Sequence, residues 1–302
     1  MRAFVHVADQ RSFSRAASVL RITQPALSRQ IRQLEEELGT KFFHRHGHGV
    51  ALTNTGAILF ERCKRILSDV EDLRGEIGRQ LPRPGITGTV TLGVPAPMAW
   101  RFAHPFLSRF GQQFPGVTLR VVEGFSAFLH EWLLSGTVDL AVLYGPRPSK
   151  IIEATELLIE DLFAIGPPSF ADRKAITVEE LSKHPLIVPH PPHVIRTLAH
   201  EAGLQPSRFV EVDALSLMVE LAHQGKGFSL LPMTAVRQEL LSGYVAALAI
   251  QKPALSWSVS LCRNDLRPVS PASEALFTHV KREVAELVRA GQWDARLAAG
   301  LV

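Results

Sequence analysis

Between Thr23 and Gly39 the chain reads TQPALSRQIRQLEEELG, and on a helical wheel two faces separate. Leu27, Ile31, Leu34 and Leu38 form an apolar stripe, while Gln24, Pro25, Ser28, Arg29 and Arg32 lie opposite it, toward the N-terminal half. Those residue types suit one chemistry. Gln can bond adenine through two hydrogen bonds, Arg can do the same to guanine, and Ser and a helix N-terminus suit phosphate. An ordinary amphipathic helix also has a polar outer face, so the surroundings must decide between the readings.

The elements around this segment point to a DNA reader. Thr23 is a natural N-cap, Pro25 falls in the first helical turn where its missing N–H does no harm, and Gly39 is a terminator. Upstream, Met1, Phe4, Val5 and Ala8 follow helical spacing, and so do Phe13, Ala16, Ala17 and Leu20, with Ser12 placed as a cap. Only Arg21 and Ile22 separate the second of these helices from Thr23, which is the spacing of a helix-turn-helix whose second member enters the major groove. The segment KFFHRHGHGVALT follows with the glycines and short apolar stretches of a small hairpin, a wing.

Charge agrees. The first 65 residues carry eleven Lys+Arg against five Asp+Glu, whereas residues 81–302 carry twenty of each, so the whole chain's net charge of +4 is concentrated at one end. A polyanion is the partner this implies. Thr53 or Asn54 then caps a long helix reaching about Gln80, along which Leu59, Cys63, Ile66, Val70, Leu73 and Ile77 alternate in steps of four and three. Such a helix is roughly 40 Å long and too apolar on one side to stand alone in water. A second copy of the chain is the expected cover, with packing against its own second domain as the alternative.

Pro82, Pro84, Gly85 and Gly88 break the pattern as a hinge would. Beyond them the apolar runs VTLGV, VTLRVVE, DLAVLYG, LFAIG, LIV, FSLL and WSVSLC alternate with helical patterns such as Trp100 to Phe114 and Leu215 to His223, an α/β layout with mainly parallel sheets. No apolar run approaches the roughly 18 to 20 residues of a membrane span, and no signal-peptide pattern opens the chain, so a cytoplasmic location is expected.

With TQPALSRQIRQLEEELG at its centre, the tract AFVHVADQRSFSRAASVLRITQPALSRQIRQLEEELGTKFFHRHGHGVALTNTGAILF resembles the LysR-type transcriptional regulators. The resemblance continues more loosely over nearly the whole chain, through FPGVTLRVVEG, LLSGTVDLAVLYG and LAHQGKGFSLLP, and within the family the tract from HRHGHGV through LAVLYG is most similar to the nitrogen-assimilation control subgroup. It implies a winged helix-turn-helix over 1–53, a linker helix over 54–81, a hinge over 82–88 and a bilobal effector-binding domain over 89–302. That domain would resemble periplasmic solute-binding proteins, with a first subdomain of 89–161 and 264–302 and a second of 162–263. DNA contacts would fall on Gln24, Pro25, Ser28 and Arg29, with Arg45 and His48 in the wing, and the polar face adds Arg32. Promoter DNA, a small-molecule effector, a dimer of dimers of this chain and RNA polymerase are the implied partners, with no cofactor. The family also carries several residues ahead of the position of Met1, so the first helix here is short by comparison.

The resemblance further places an effector between the two subdomains, at Ala96, Met98 and Ala99 after the first strand, Gly124, Phe125 and Ser126 after the second, and His190, His193 and Ser216 across the cleft. Many family members carry Ser or Thr after the first strand; here the segment is PAPMAW. Charge selection then rests on the helix N-termini that follow Val94 and Glu123, which favour an anion. With Met98, Trp100 and Phe125 as apolar walls, a small organic anion with an apolar portion fits better than a sugar.

Other chemistries fit less well. His44, His46 and His48 alternate and could share a strand face as metal ligands, but Arg45 and two glycines interleave them. His190 and His193 are separated by two prolines that splay the rings, and Cys63 and Cys262 fall in different expected domains, where buried thiols are the better reading. GFSAF and GFSLL each lack the second Gly of a nucleophile elbow, and no P-loop or GxGxxG is present, so an enzyme is not expected. A DNA-bound regulator with no small-molecule signal is the alternative that composition and motifs leave open.

Overall fold

The computed structural model describes the backbone of all residues except 47–48, 79–84, 104, 147–148 and 302; the side chains of 45–46, 49, 65, 68–69, 71–78, 100–103 and 105 are also outside the description. The chain divides into two compact units, Met1–Pro84 and Gly85–Val302.

In the first unit α1 (Arg2–Gln10), α2 (Phe13–Leu20) and α3 (Gln24–Glu37) precede a hairpin of β1 (Phe43–His46) and β2 (Gly49–Leu52), and α4 (Asn54–Gly78) follows. The caps sit where the side chains allow them. Ser12 accepts from the Arg15 amide at 3.3 Å and Thr23 from the Ala26 amide at 3.4 Å. Arg11 and Arg21 close α1 and α2 in the left-handed conformation, at φ 46° and 55°. Phe4, Phe13, Leu27, Ile31, Phe42 and Cys63 are buried together, with the Phe4 ring 5.5 Å from Phe42 and 5.2 Å from Phe43. The apolar stripe of α3 is shorter than its spacing suggests. Leu27 and Ile31 are buried and Leu34 partly so, but Leu38 is 52% exposed, because the helix ends at Glu37 and Gly39 turns the chain away at φ 65°.

Two polar devices seat the wing and α4. Glu35 accepts from Lys41 Nζ at 2.8 Å and from the Phe42 amide at 3.0 Å. Burial raises the Glu35 pKa, but these bonds outweigh it and the carboxyl lies below its ordinary value. Thr53 caps α4, accepting from the Gly56 amide at 2.9 Å while donating to the Lys41 carbonyl at 2.7 Å.

The second unit opens with β3 (Thr87–Val94), α5 (Ala96–Ala103), α6 (Pro105–Gln113), β4 (Gly116–Glu123), α7 (Ser126–Ser135) and β5 (Leu140–Tyr144). The single helical pattern expected from Trp100 to Phe114 is two helices, since Pro105 cannot donate within a continuous one. A 15-residue strand, β6 (Ile152–Gly166), leads to β7 (Ala175–Thr177), α8 (Val178–Leu181), β8 (Leu186–Val188), α9 (Val194–Glu201), β9 (Phe209–Glu211), α10 (Leu215–His223) and β10 (Phe228–Pro232). Then come α11 (Arg237–Leu241), β11 (Ala246–Gln251), β12 (Ser256–Asn264), α12 (Pro271–Arg289) and β13 (Arg296–Leu297).

Sheet pairing is mixed rather than mainly parallel. β3 is parallel to β4 and β5, and β8 is parallel to β9 and β10, but the strands that connect these groups run against them. β6 pairs antiparallel with β12 from Ile152 to Asp161, then with β10 and β11 from Leu162 onward. The outward crossing therefore falls at Asp161 and Leu162. The return comes at Leu255 and Ser256, ahead of the expected Arg263, because β12 pairs with β5 and β6 through Val259, Cys262 and Arg263. The Leu162 amide donates to the Leu255 carbonyl at 2.9 Å, joining the two crossings. The largest core fills the space between β3, β5, β6, β12 and α12, with Leu92, Val142, Leu158, Val259 and Leu276 fully buried. Both cysteines are buried, and burial pushes the Cys262 thiol up to about 12.

A side chain at Gly56 would place its Cβ 2.1 Å from the Phe42 carbonyl oxygen, which also accepts the Thr53 amide at 2.9 Å. Gly56→Ala is therefore expected to destabilise the first unit by about 1 to 3 kcal/mol. Calorimetric unfolding of the full chain checks this; an unchanged transition would show that the wing base yields freely.

Candidate DNA-reading face and effector cleft

The first candidate surface is the outer side of α3. Gln24, Pro25, Arg29 and Arg32 are exposed and Ser28 is half-buried, while Leu27 and Ile31 anchor the opposite side in the core. Neither Arg29 nor Arg32 is held by a carboxylate among the described residues, so both guanidinium groups are available to a polyanion. In the wing the Val50 amide donates to the Arg11 carbonyl at 3.2 Å, tying β2 to the turn between α1 and α2. Arg45 lies on β1 opposite Val50, but its side chain is not described, and His48 lies outside the described residues. The three alternating histidines thus cannot be placed as a set; His44 is exposed.

The second candidate is a cleft between the two sheet groups of the second unit. It has an outer chamber of about 330 Å³ and an inner one of about 30 Å³. The outer volume lies within the range of small-molecule sites, and the inner holds little more than one water. Ser126, Tyr144 and His193 line both chambers. The rest of the inner wall is apolar and includes Ala96, Phe125, Leu215, Met218 and Trp257; the outer rim adds His130, Glu131 and Thr197.

Of the nine sequence-expected effector residues, Ala96, Phe125, Ser126 and His193 come together at this cleft, and five do not. Met98 is fully buried in the main core and lines neither chamber. Ala99 also packs on that core. Gly124 lies under the Trp132 ring, at 3.1 Å from the place of a Cβ. His190 is bonded to Asp213 outside the chambers, and Ser216 is exposed one position past Leu215, which does line them. Trp100 has no described side chain. Among the lining residues that sequence reasoning missed, which include His130, Glu131, Thr197, Met218 and Trp257, Tyr144 lines both chambers. It ends β5, and strand C-terminal ends in α/β sheets face ligand crevices, so the LAVLYG run held the signal.

The surroundings of the three polar residues shared by both chambers are defined. Ser126 Oγ accepts from the Tyr144 amide at 3.0 Å. His193 Nδ1 accepts from the Ile195 amide at 3.3 Å, which leaves the ring proton on Nε2. Burial pushes the His193 pKa down to about 4, Asp213 pulling the other way, so at neutral pH the ring donates without a charge. Tyr144 stacks on Trp257 with centroids 3.9 Å apart. Its hydroxyl is buried with no hydrogen-bond partner among the described residues, and burial, then the neighbouring Glu160, hold it well above its ordinary pKa. Below the stack Glu160, completely buried, accepts from Trp257 Nε1 at 3.1 Å, Trp293 Nε1 at 2.7 Å and Thr234 Oγ1 at 2.7 Å.

Residues 1–57 match the bacterial regulatory helix-turn-helix protein, lysR family, and residues 83–285 match the LysR substrate binding domain. The chain belongs to the LysR family of transcriptional regulators. Among its LysR-family relatives, the regulator BbuR of Bordetella bronchiseptica is 29% identical over 97% of this chain and 91% of its own. The nitrogen assimilation regulatory protein Nac of Escherichia coli is 28% identical, covering 93% of each, so the likeness to the nitrogen-assimilation subgroup is matched by that to other members. Among solved structures, CbnR in complex with its target DNA superposes with a TM-score of 0.69 at 22% identity, over 93% of this chain and 98% of that one. Full-length OxyR from Pseudomonas aeruginosa gives 0.67 at 21%, over 94% and 92%. LysR-family members act as transcriptional regulators rather than enzymes, and no described helix of this one is long and apolar enough to cross a membrane.

His193 and His279 both hold pKa values near 4, first because burial penalises the imidazolium. The unfolded chain takes up these protons at about pH 6.5. Stability should thus be full above pH 6.5 and fall toward pH 4, each ring contributing a slope of at most about 1.4 kcal/mol per pH unit. Denaturant unfolding across this window should show the loss, and His279→Gln should flatten it; an identical slope in the variant would mean that His279 is already protonated in the fold.

Proposed function

We propose that this regulator grips promoter DNA through the polar side of α3 and answers to a small organic molecule held in the cleft of its second unit. The observation that carries the reading is the pairing of two features in one chain: Arg29 and Arg32, exposed and held by no carboxylate among the described residues, on a core-anchored helix, and a 330 Å³ cavity lined in part by Ser126, Tyr144 and His193. Gln24, Arg29 and Arg32 read base edges, Ser28 and the α3 N-terminus meet phosphate, and Arg45 and His48 of the wing meet the backbone. A small organic anion with an apolar portion fits the cleft. Support comes from α7, whose N-cap Phe125 offers no side-chain bond to the first-turn amides, so these can turn to a ligand. RNA polymerase is a further partner of the DNA-bound form.

The working particle is a homo-oligomer built on α4. Cys63, Leu59 and Leu67 of this helix pack on their own core, while Ile58 and Ile66 stand 66% and 43% exposed, an apolar edge that a second copy of α4 would cover. Two such dimers would pair through their second units.

Arg29→Ala is expected to lower affinity for the cognate site by about 1 to 3 kcal/mol and relax preference at one position. Titrations on cognate and random duplexes at several salt concentrations test this; equal affinity of variant and wild type removes Arg29 from the interface, and uniform weakening makes it a phosphate contact.

Ile66→Asp would bury an unpaired carboxylate in the helix pair, costing several kcal/mol, and should leave monomers that occupy single half-sites weakly. Sedimentation should show the monomer; a dimer of undiminished stability would place the interface elsewhere.

A further inference from the structure

The recognition helix and the wing are separate pieces of chain that must meet one duplex together. If the angle between them were free, each binding event would have to order it, at a cost in affinity. The C-terminal end of α3 carries a device that removes this freedom. Glu35 lies three residues past Arg32, with a side chain 10% exposed, whereas Glu36 and Glu37 beside it are exposed. A carboxylate in the last turn opposes the helix dipole, so the charge of Glu35 does not serve α3 itself. Its bonds run outward, to the connection with the hairpin. The carbonyl accepts from the Thr40 amide at 3.0 Å, and the carboxylate accepts from the Phe42 amide at 3.0 Å and from Lys41 Nζ at 2.8 Å. Lys41 and Phe42 are in turn the root of the wing, since their carbonyls hold Thr53 at its far end, by the hydroxyl at 2.7 Å and the amide at 2.9 Å.

Resting on the reading of α3 and the wing as one DNA-reading surface, we propose that Glu35 is a positioning residue for DNA recognition: it clasps the C-terminal end of α3 to the root of the wing, so that Arg29 and Arg32 in the groove and Arg45 on the flanking backbone engage in one geometry. The two side-chain bonds are unequal. The Lys41 side chain is 70% exposed, and water and salt screen an ion pair of that kind. The Phe42 amide belongs to a residue 1% exposed, and losing its acceptor leaves a part-buried donor unpaired. The bond to the amide therefore carries the clasp, and it needs an oxygen at that point rather than a charge. Glutamine keeps such an oxygen, and alanine does not.

The test titrates the full-length protein, at several salt concentrations, with a duplex that the wild type selects from a random pool. Glu35→Ala should bind about tenfold more weakly and with a salt slope smaller by about 1, the share of one lost phosphate contact. A variant that merely lost stability would bind less without any change of slope. Glu35→Gln should stay within about twofold of wild type. Arg45→Ala should lower the slope by the same amount as Glu35→Ala, and the two changes combined should cost less than their sum, because alanine at position 35 has already released the wing. Glu35→Asp, which keeps the charge but withdraws the carboxylate by one methylene, should move both quantities as alanine does, and it decides the matter should the alanine variant not fold. An unchanged slope in Glu35→Ala and Glu35→Asp, or full additivity with Arg45→Ala, overturns the clasp while leaving the DNA-reading surface in place. Arg45→Ala with the affinity and slope of wild type overturns the wing's part in that surface and the clasp with it.

Discussion

A single buried carboxylate explains why several distant segments of the second unit must meet. Glu160 has no contact with water, and a carboxylate so placed is tolerable only while donors surround it. They arrive from the turn after β10 as Thr234, from β12 as Trp257, and from beyond α12 as Trp293. Each of these segments is thereby tied to the middle of β6. The Trp257 ring, fixed by its bond to the carboxylate, gives Tyr144 a flat surface to stack on, and Tyr144 in turn narrows the cleft. The shape of the cleft at Tyr144 is thus the outermost layer of an arrangement whose innermost layer is electrostatic.

The first unit relies on a different constraint. The Phe4 ring packs edge-on against Phe42 and tilted against Phe43, joining α1 to the base of the wing. Around them short polar bonds, from Thr53 to Lys41 and from Phe42 to Glu35, seat the hairpin and the start of α4 on the same core. α3 contributes Leu27 and Ile31 to that core, with Leu34 partly buried beside them, and most of the rest of its surface is left to solvent.

The parts of this structure that were readable in the sequence are those set by local rules. Ser12, Thr23 and Thr53 cap helices because a hydroxyl before an apolar run satisfies free amides. The positions that misled are those set by the phase of a short helix against its neighbours. Met98 and Ser216 each sit in the first two turns of a helix beside the cleft, yet a rotation of one residue, about 100°, turns one into the core and the other to solvent. Leu38 belongs to an apolar stripe on the wheel, but the wheel does not say that the helix stops before reaching it. Tyr144 was passed over for the opposite reason: in a run of five buried strand residues its one mark is its place at the C-terminal end of the strand, and its burial is like that of the other four.

The adjacent crossings of β6 and β12 have a mechanical consequence. Two antiparallel strands bonded through the joint, with the Leu162 amide on the Leu255 carbonyl at its centre, resist sliding, since a slip of one residue would turn every side chain to the opposite face. Twisting and bending cost far less, because a sheet already carries a natural twist that can be wound or relaxed. The joint should therefore give more readily in twist than in slide, and any rotation about it would displace atoms by an amount that grows with their distance from it.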